Sequence, residues 1–415
     1  MNKKRNIIVI DLKAFYSYVE CLDRGLDPWT TPLVVADKER GSNTIVLSVS
    51  PFLKSHGIPS RLRLKELPKK FDYIYAVPRM ERYIEKSLEV INVFLEYVSE
   101  DDIHVYSIDE AFIDITTYLS YYKKTALEMA EFLVNEVKNK TGLQATAGVG
   151  ENMFLAKVAL DVYAKKEKNG IATMYKKDVE TKLWPITPLN KIWGIGARTE
   201  AKLNKMGMFS VRDIALSNPD FLRQKFGIMG EQLYEHSHGN DEADMHEEYT
   251  PKETSMTYGQ VLFRDFKKEE MSVIIQEMTD ELASRLREAK KMTSVVSLFI
   301  SYSKNQGGFA KQMSLLHPTS DQKILYDALM EIFKKNVEDK PIRGVHLAFG
   351  KLQNQDYQQL NVFEDTSEQI ADYDLQLALD VIHQKFGKNS VLRASSLTES
   401  STIKERHNQI GGHRR

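Results

Sequence analysis

A chain of 415 residues is too long for one core, and at about 100–200 residues per domain it predicts roughly two to four domains. Hydrophobic residues make up 42% and charged residues 28%, ordinary for a globular protein, and no apolar run reaches the roughly 18 residues that cross a bilayer. Lys+Arg number 57 against 58 Asp+Glu, so no global basic field announces nucleic acid, and any DNA contact must be made by local patches.

The N-terminus is basic, but the apolar stretch Ile7–Ile10 stops at Asp11, too short for the core of a signal peptide. One cysteine, Cys21, excludes an internal disulfide and a Cys-rich zinc site. A cytoplasmic protein that meets no membrane is expected.

Residues 6–11 read as a short buried strand ending on a carboxylate, and Lys13 to Glu20 as a helix. Ile84, Leu88, Ile91, Leu95 and Val98 keep a helical period, whereas His104 to Thr116 reads as two strands broken around Ser107-Ile108-Asp109-Glu110. Leu127, Ala130, Val134 and Val137 mark a further helix stopped by Gly142, with a strand at Gln144–Val149. Together these predict one α/β sheet domain interrupted by an insertion between about 19 and 77.

Gly194-Ile195-Gly196, followed by Leu203 and Gly207, has the spacing of a helix-hairpin-helix. Its tight turn would bring backbone N–H groups against a phosphate and read no sequence; a merely structural turn is the alternative. Residues 235–253 are polar, acidic and aperiodic and read as a linker. Its His236, His238 and His246 are candidate metal ligands, though a solvated linker is the stronger reading. Beyond it, strands and helices alternate as β-α-β-β-α-β up to about 350, a split-βαβ unit and a second domain. The polar tail carries one amphipathic helix with Leu375, Leu379, Ile382 and Phe386, and ends in basic residues.

The strongest chemical signal is Asp11 at one strand end together with the paired acids Asp109 and Glu110 at a strand break. Solvated cap residues are the bland alternative. Carboxylates on neighbouring strands suit Mg²⁺, which takes hard oxygen ligands, and two ions need bridging acids.

Those residues also carry a family resemblance. Val9-Ile10-Asp11-Leu12-Lys13-Ala14-Phe15-Tyr16-Ser17-Tyr18-Val19-Glu20 resembles the first motif of the Y-family translesion DNA polymerases. Tyr106-Ser107-Ile108-Asp109-Glu110-Ala111-Phe112-Ile113-Asp114 resembles their second, and Ala147 to Gly150 through Asn152-Met153-Phe154-Leu155-Ala156-Lys157 their third. The helix-hairpin-helix comes next, in its expected place. The chain is similar to the ImpB/MucB/SamB branch and to the UvrX-like proteins within it.

The resemblance implies an α/β (α+β) multidomain right hand. Its palm would be 1–18 and 78–165, its fingers 19–77, its helix-hairpin-helix thumb 166–240 and its split-βαβ little finger 250–352, with a tail at 353–415. Asp11, Asp109 and the backbone carbonyl of Leu12 would ligate two Mg²⁺ ions, with Glu110 as the third acid beside the primer 3′-hydroxyl. Lys157 would meet the incoming triphosphate as a point charge. Phe15 and Tyr16 would face the nucleotide, Tyr16 filling the space a ribose 2′-hydroxyl needs. Asp114 is left structural. Gly194 and Gly196 would hold DNA phosphates.

Some positions depart from the family pattern. Lys54 stands for a common arginine, Pro51 for a tyrosine whose phosphate hydrogen bond proline cannot make, and Lys13 for an acid, while Ser48 remains able to donate to a phosphate. Gln359-Leu360-Asn361-Val362-Phe363 resembles the peptide that docks bacterial polymerases on the sliding clamp, with Gln359, Leu360 and Phe363 as its anchors. The implied activity is DNA-directed DNA synthesis on primer–template DNA from deoxynucleoside triphosphates. It would be low-fidelity translesion synthesis past damage, in DNA repair and the SOS response. A non-catalytic, clamp-bound adaptor is the rival reading, opposed by the presence of all three acids, and a nucleotidyl cyclase predicts neither hairpin nor clamp peptide.

Overall fold

The computed structural model describes residues 5–247, 254–355 and 366–415, which form two compact units, Met1–Glu248 and Tyr249–Arg415. The first begins with strand β1 (Ile7–Leu12) and helix α1 (Phe15–Asp23). An inserted portion comes next, with β2 (Leu33–Val35), β3 (Ser48–Val49), α2 (Pro51–Ser55) and β4 (Ile74–Ala76). The chain then returns through α3 (Met80–Leu95), β5 (Ile103–Ser107), β6 (Glu110–Asp114), α4 (Tyr118–Tyr122), α5 (Ala126–Thr141), β7 (Ala145–Gly150), α6 (Met153–Val158) and β8 (Ile171–Met174).

β1 is apolar except at Asp11, and Ile7 to Ile10 are buried, the pattern of a strand covered on both faces. It is the middle strand of a sheet ordered β5-β6-β1-β7-β8. The sheet therefore runs past residue 165, where the sequence put the end of the palm. α5 starts on a capping box, the Thr125 hydroxyl accepting from the Glu128 N–H and the Glu128 carboxylate from the Thr125 N–H. It stops at Gly142, whose φ of 74° suits a residue without Cβ. The inserted portion has its own small sheet, ordered β3-β2-β4, and its own core around Val34, Val46, Leu53 and Ile58.

Four helices complete the unit: α7 (Ala197–Lys205), α8 (Val211–Ala215), α9 (Pro219–Phe226) and α10 (Ile228–Ser237). α10 takes in residues that the sequence assigned to the linker. The acids after it are engaged by their own unit. Asp241 accepts from the Phe154 N–H at 3.0 Å and Asp244 pairs with Arg5, which accounts for an acidic stretch where the sequence suggested free solvation. His236 stacks on Phe154 at 4.2 Å, and a ring nitrogen of His246 lies 2.9 Å from the Asp101 carbonyl. Among the described residues these histidines form no metal cluster.

The second unit has the expected order: β9 (Met256–Phe266), α11 (Met271–Glu288), β10 (Lys291–Tyr302), β11 (Gly308–Thr319), α12 (Gln322–Asn336) and β12 (Ile342–Gly350). Its antiparallel sheet runs β11-β10-β12-β9, and both helices bury Ile274, Leu282, Leu325 and Leu329 against Val296, Leu298 and Leu347. After β13 (Gln353–Asn354) come α13 (Thr366–Phe386), α14 (Ile403–His407) and the hairpin β14 (Gln409–Ile410) and β15 (His413–Arg414).

α13 departs in part from the expected amphipathic helix. Among its described residues the buried side chain is Gln376, next to Asp380, which takes a two-pronged ion pair from the buried Arg287 of α11 at 2.6 and 3.0 Å. Of the expected stripe, Leu379 and Ile382 are half-buried, while Leu375 and Phe386 are exposed. Further along the tail, Lys388 pairs with Glu281 and Arg393 with Asp280, both acids on α11.

Candidate active site

The three acids singled out from the sequence meet at one end of the five-stranded sheet. β1 and β6 pair antiparallel with Asp11 directly opposite Glu110. Asp109 occupies the two-residue turn between β5 and β6, where its carbonyl accepts from the Leu12 N–H at 2.9 Å and its carboxylate from Ser107 Oγ at 2.7 Å. Adjacent antiparallel strands put facing side chains about 4.5–5.5 Å apart, so like charges here need cations.

The helix beside the sheet supplies them. Lys157 Nζ lies 2.7 Å from Glu110 and 3.0 Å from Asp161, and Lys165 Nζ lies 3.1 Å from Asp11 and 2.9 Å from Asp161. Lys157, Asp161 and Lys165 recur every four residues, along α6 and the wide turn that continues it, so all three share one face. The sequence reading found Lys157 but missed Asp161 and Lys165; that four-residue spacing was the available signal.

Burial pushes the Asp11 and Glu110 carboxyls above the usual range, with Lys165 and Lys157 respectively opposing it. Burial works against the Lys157 ammonium too, but Glu110 and Asp161 outweigh it and leave its pKa raised. Lys165 is raised in the same way, Asp11 and Asp161 prevailing over burial. Two glycines let this helix lie so close. A Cβ on Gly148 would fall 2.1 Å from the Ala156 carbonyl oxygen, and one on Gly150 would fall 2.4 Å from the Ala156 nitrogen.

Between Asp11 and α1 the chain turns through Ala14, held at φ 48° in the left-handed region. Ser17 Oγ donates to the Ala14 carbonyl at 2.9 Å and Ser48 Oγ does so at 3.3 Å; the two hydroxyls are 3.0 Å apart. Ser48 is buried in that latch, and its neighbour Pro51 opens α2 at the first helical position. Lys54, on α2, has its pKa lowered chiefly by burial, with Asp11 and Asp109 near enough to oppose it. Burial likewise lowers Lys13.

Beyond the latch, Phe15 is buried and Tyr16 rests its ring on that of Tyr83 at 4.7 Å. Tyr83 is fully buried and donates to Glu20 at 2.7 Å, which is in turn held by Arg24 and Arg79. The Tyr16 phenol has its pKa raised by burial and by the charge of Asp109. Asp114 is buried, and its carboxylate accepts from the Thr116 N–H at 2.9 Å, a turn-fixing bond.

The acids fit a hard cation in kind. They offer only oxygen, and Glu110 Oε1 is a buried oxygen with the Lys157 ammonium 2.7 Å away. Among the described residues no group of three His, Cys, Asp or Glu side chains stands at ligand spacing, and Asp11 and Glu110 are each paired with a lysine. Elsewhere in the unit, Gly194 adopts φ 86° and Gly196 caps α7. Neither has any atom within 4 Å of where a Cβ would stand, so the turn is open to an approaching phosphate. Gln359, Leu360 and Phe363 lie outside the described residues.

Comparison with known proteins agrees with this arrangement. The chain matches the impB/mucB/samB family over residues 10–161, the C-terminal domain of that family over 254–362 and its helix-hairpin-helix motif over 176–208. It is 36% identical to UvrX of Bacillus subtilis (strain 168), named for UV-damage repair, over 99% of this chain and 98% of that protein. It is 31% identical to DNA polymerase IV 2 of the same strain over the whole of both chains. Among solved structures, a Y-family polymerase chimera of Dbh and Dpo4 matches with a TM-score of 0.67 at 20% identity, over 83% of this chain and 98% of that one.

Proposed function

The chain belongs to the impB/mucB/samB family of Y-family DNA polymerases and is homologous to DNA polymerase IV enzymes over its full length, and from that premise we propose that it performs low-fidelity translesion synthesis past damaged template bases. The observation that carries the reading is the register that sets Asp11 opposite Glu110, with Asp109 in the adjoining turn. UvrX, similar over nearly its whole length, is named for repair of UV damage.

In this reading Asp11, Asp109 and the Leu12 carbonyl would hold two Mg²⁺ ions, with Glu110 as the third acid. Bound there, magnesium would acidify the primer 3′-hydroxyl and neutralise the triphosphate and the leaving oxygen. The hydroxyl oxygen attacks the α-phosphorus and loses its proton while pyrophosphate departs. Lys157 and Lys165, freed from the acids, turn their charge to the phosphates, and Lys54 approaches from the opposite side. Tyr16 rejects a ribose by collision with its 2′-hydroxyl. The Gly194–Gly196 turn grips the primer–template backbone without reading its sequence. Gln359, Leu360 and Phe363 dock on a sliding clamp.

A primer-extension assay with Mg²⁺ on undamaged and UV-lesion templates tests the proposal. Asp109→Ala and Glu110→Ala should each lower the rate by at least about a thousandfold and leave primer–template binding largely intact, because chemistry needs the positioned cations while affinity comes from phosphate contacts. Full activity in Asp109→Ala refutes the assignment, and a wild-type protein that binds DNA without extending it favours the adaptor.

A further inference from the structure

One aromatic pair ties the DNA-gripping turn to the catalytic turn. Trp193 immediately precedes Gly194, and its indole Nε1 donates to the Tyr106 hydroxyl at 3.1 Å, the two rings meeting edge to face at 5.9 Å. Phe112 of β6 closes the triangle, 5.7 Å from Tyr106 and 5.9 Å from Trp193.

Tyr106 occupies an unusual place in its strand. Val105 pairs with Ala111 and Ser107 with Glu110, so Tyr106 is one residue too many, a bulge two positions before the catalytic turn. A bulge bends its strand and re-aims the residues after it. Here those residues are Ser107, which bonds Asp109 at 2.7 Å, and Asp109 itself, whose carbonyl anchors on Leu12. Trp193 also packs against the core cluster that includes Ile7 and Val9 of β1.

We propose that Trp193 and Tyr106 are positioning residues, coupling the seating of the DNA backbone on the Gly194–Gly196 turn to the placement of Asp109. The inference rests on the polymerase reading. A phosphate drawn onto the turn moves the residue next to Gly194, and the indole passes that movement to the bulge through one hydrogen bond and one ring contact. The device reads whether duplex is present and adjusts an acid that never touches it.

Trp193→Phe removes the donor and keeps a ring; Tyr106→Phe removes the acceptor at a half-exposed site and tests the same bond from the other side. Each should slow single-turnover extension about three- to tenfold, the scale of one hydrogen bond. Each should raise the Mg²⁺ concentration for half-maximal rate by a similar factor, with primer–template affinity within about twofold of wild type. The double variant should be no worse than either single one. Adding primer–template in EDTA should change the tryptophan emission of the wild type, less so that of Tyr106→Phe, and leave Trp193→Phe without that component. Unchanged rates and magnesium dependence, additive losses, or weakened DNA binding with unaltered magnesium dependence would each overturn the coupling. An inactive wild type would instead overturn the polymerase reading, leaving the emission change to decide whether the contact responds to DNA.

Discussion

Tyr16, proposed above as the residue that excludes ribose, is braced from behind. Its ring lies on Tyr83, and Tyr83 is fixed by a buried glutamate that two arginines neutralise. Burial drives the Tyr83 phenol up to about 12, so it remains a neutral donor. In the proposed role, a ring so backed would not yield to a 2′-hydroxyl. Tyr16→Ala should therefore raise ribonucleotide over deoxynucleotide incorporation by one to two orders of magnitude, on the order of 1–3 kcal/mol of lost discrimination. Competition between matched rNTP and dNTP gives the number, and an unchanged ratio would show that Tyr16 only packs. The acids and this ring were legible in the sequence because their motifs are local. Asp161 and Lys165 were not, because a lysine alone reads as an exposed helix residue until the fold turns it toward Asp11.

Among the elements, the contact of α6 with β7 governs where Lys157 and Lys165 stand. Gly148→Ala sets a Cβ into the helix backbone, where nothing flexible can give way. Destabilisation by about 3 kcal/mol is expected in urea unfolding, together with slower extension as the helix lifts. A variant of native stability and rate would mean that strand and helix separate freely.

The tail gives a prediction of a different kind. Burial lowers the His407 pKa to about 4, Glu281 opposing and Arg406, Lys388 and His383 adding to the shift. Between about pH 6.5 and 4 the unfolded segment then binds more protons than the folded one, so stability is complete above 6.5 and is lost as pH falls toward 4. The loss is about 1–2 kcal/mol after allowance for partial exposure, and faster amide exchange in residues 403–415 at pH 5 than at pH 7 would register it. The alternating strands and long helices were readable from period alone. The Tyr106 bulge was not, since one extra residue disturbs the period of two by less than ordinary variation does. Nor was the seat of α13, where Gln376 and Asp380 meet Arg287 while Leu375 and Phe386 stay exposed.

On the scale of the whole molecule, the chain divides into two units, each with its own core, and the proposed docking peptide falls within the sequence of the second. Replacing Leu360 and Phe363 together by alanine should abolish stimulation by a sliding clamp and leave unassisted extension of a short primer unchanged. Two such anchors contribute on the order of 3–6 kcal/mol before the peptide is ordered, enough for exchange among partners. If unassisted extension falls as well, the segment belongs to the folded domain. The net charge of −1 concealed the DNA-binding character because acids and bases cancel within the protein: Asp244 with Arg5, Glu20 with its two arginines, Asp280 with Arg393.

The polar seat of α13 has a consequence for how the tail responds to its medium. An oily seam tightens as ions crowd the solvent, whereas a seam of ion pairs slackens, and here the pairs are graded. Arg287 is almost wholly enclosed, while Lys388 and Arg393 reach their acids with about half their side chains exposed, at 3%, 56% and 45% respectively. Counterions reach the outer pairs first. Rising ionic strength should therefore loosen residues 388–393 first, while the helix stays pinned at Arg287 and the segment beyond stays seated by Arg406 on Tyr258 and by Ser401 and Thr402 on Glu277, so that the tail opens as a bow between two fixed ends whose span is set by salt.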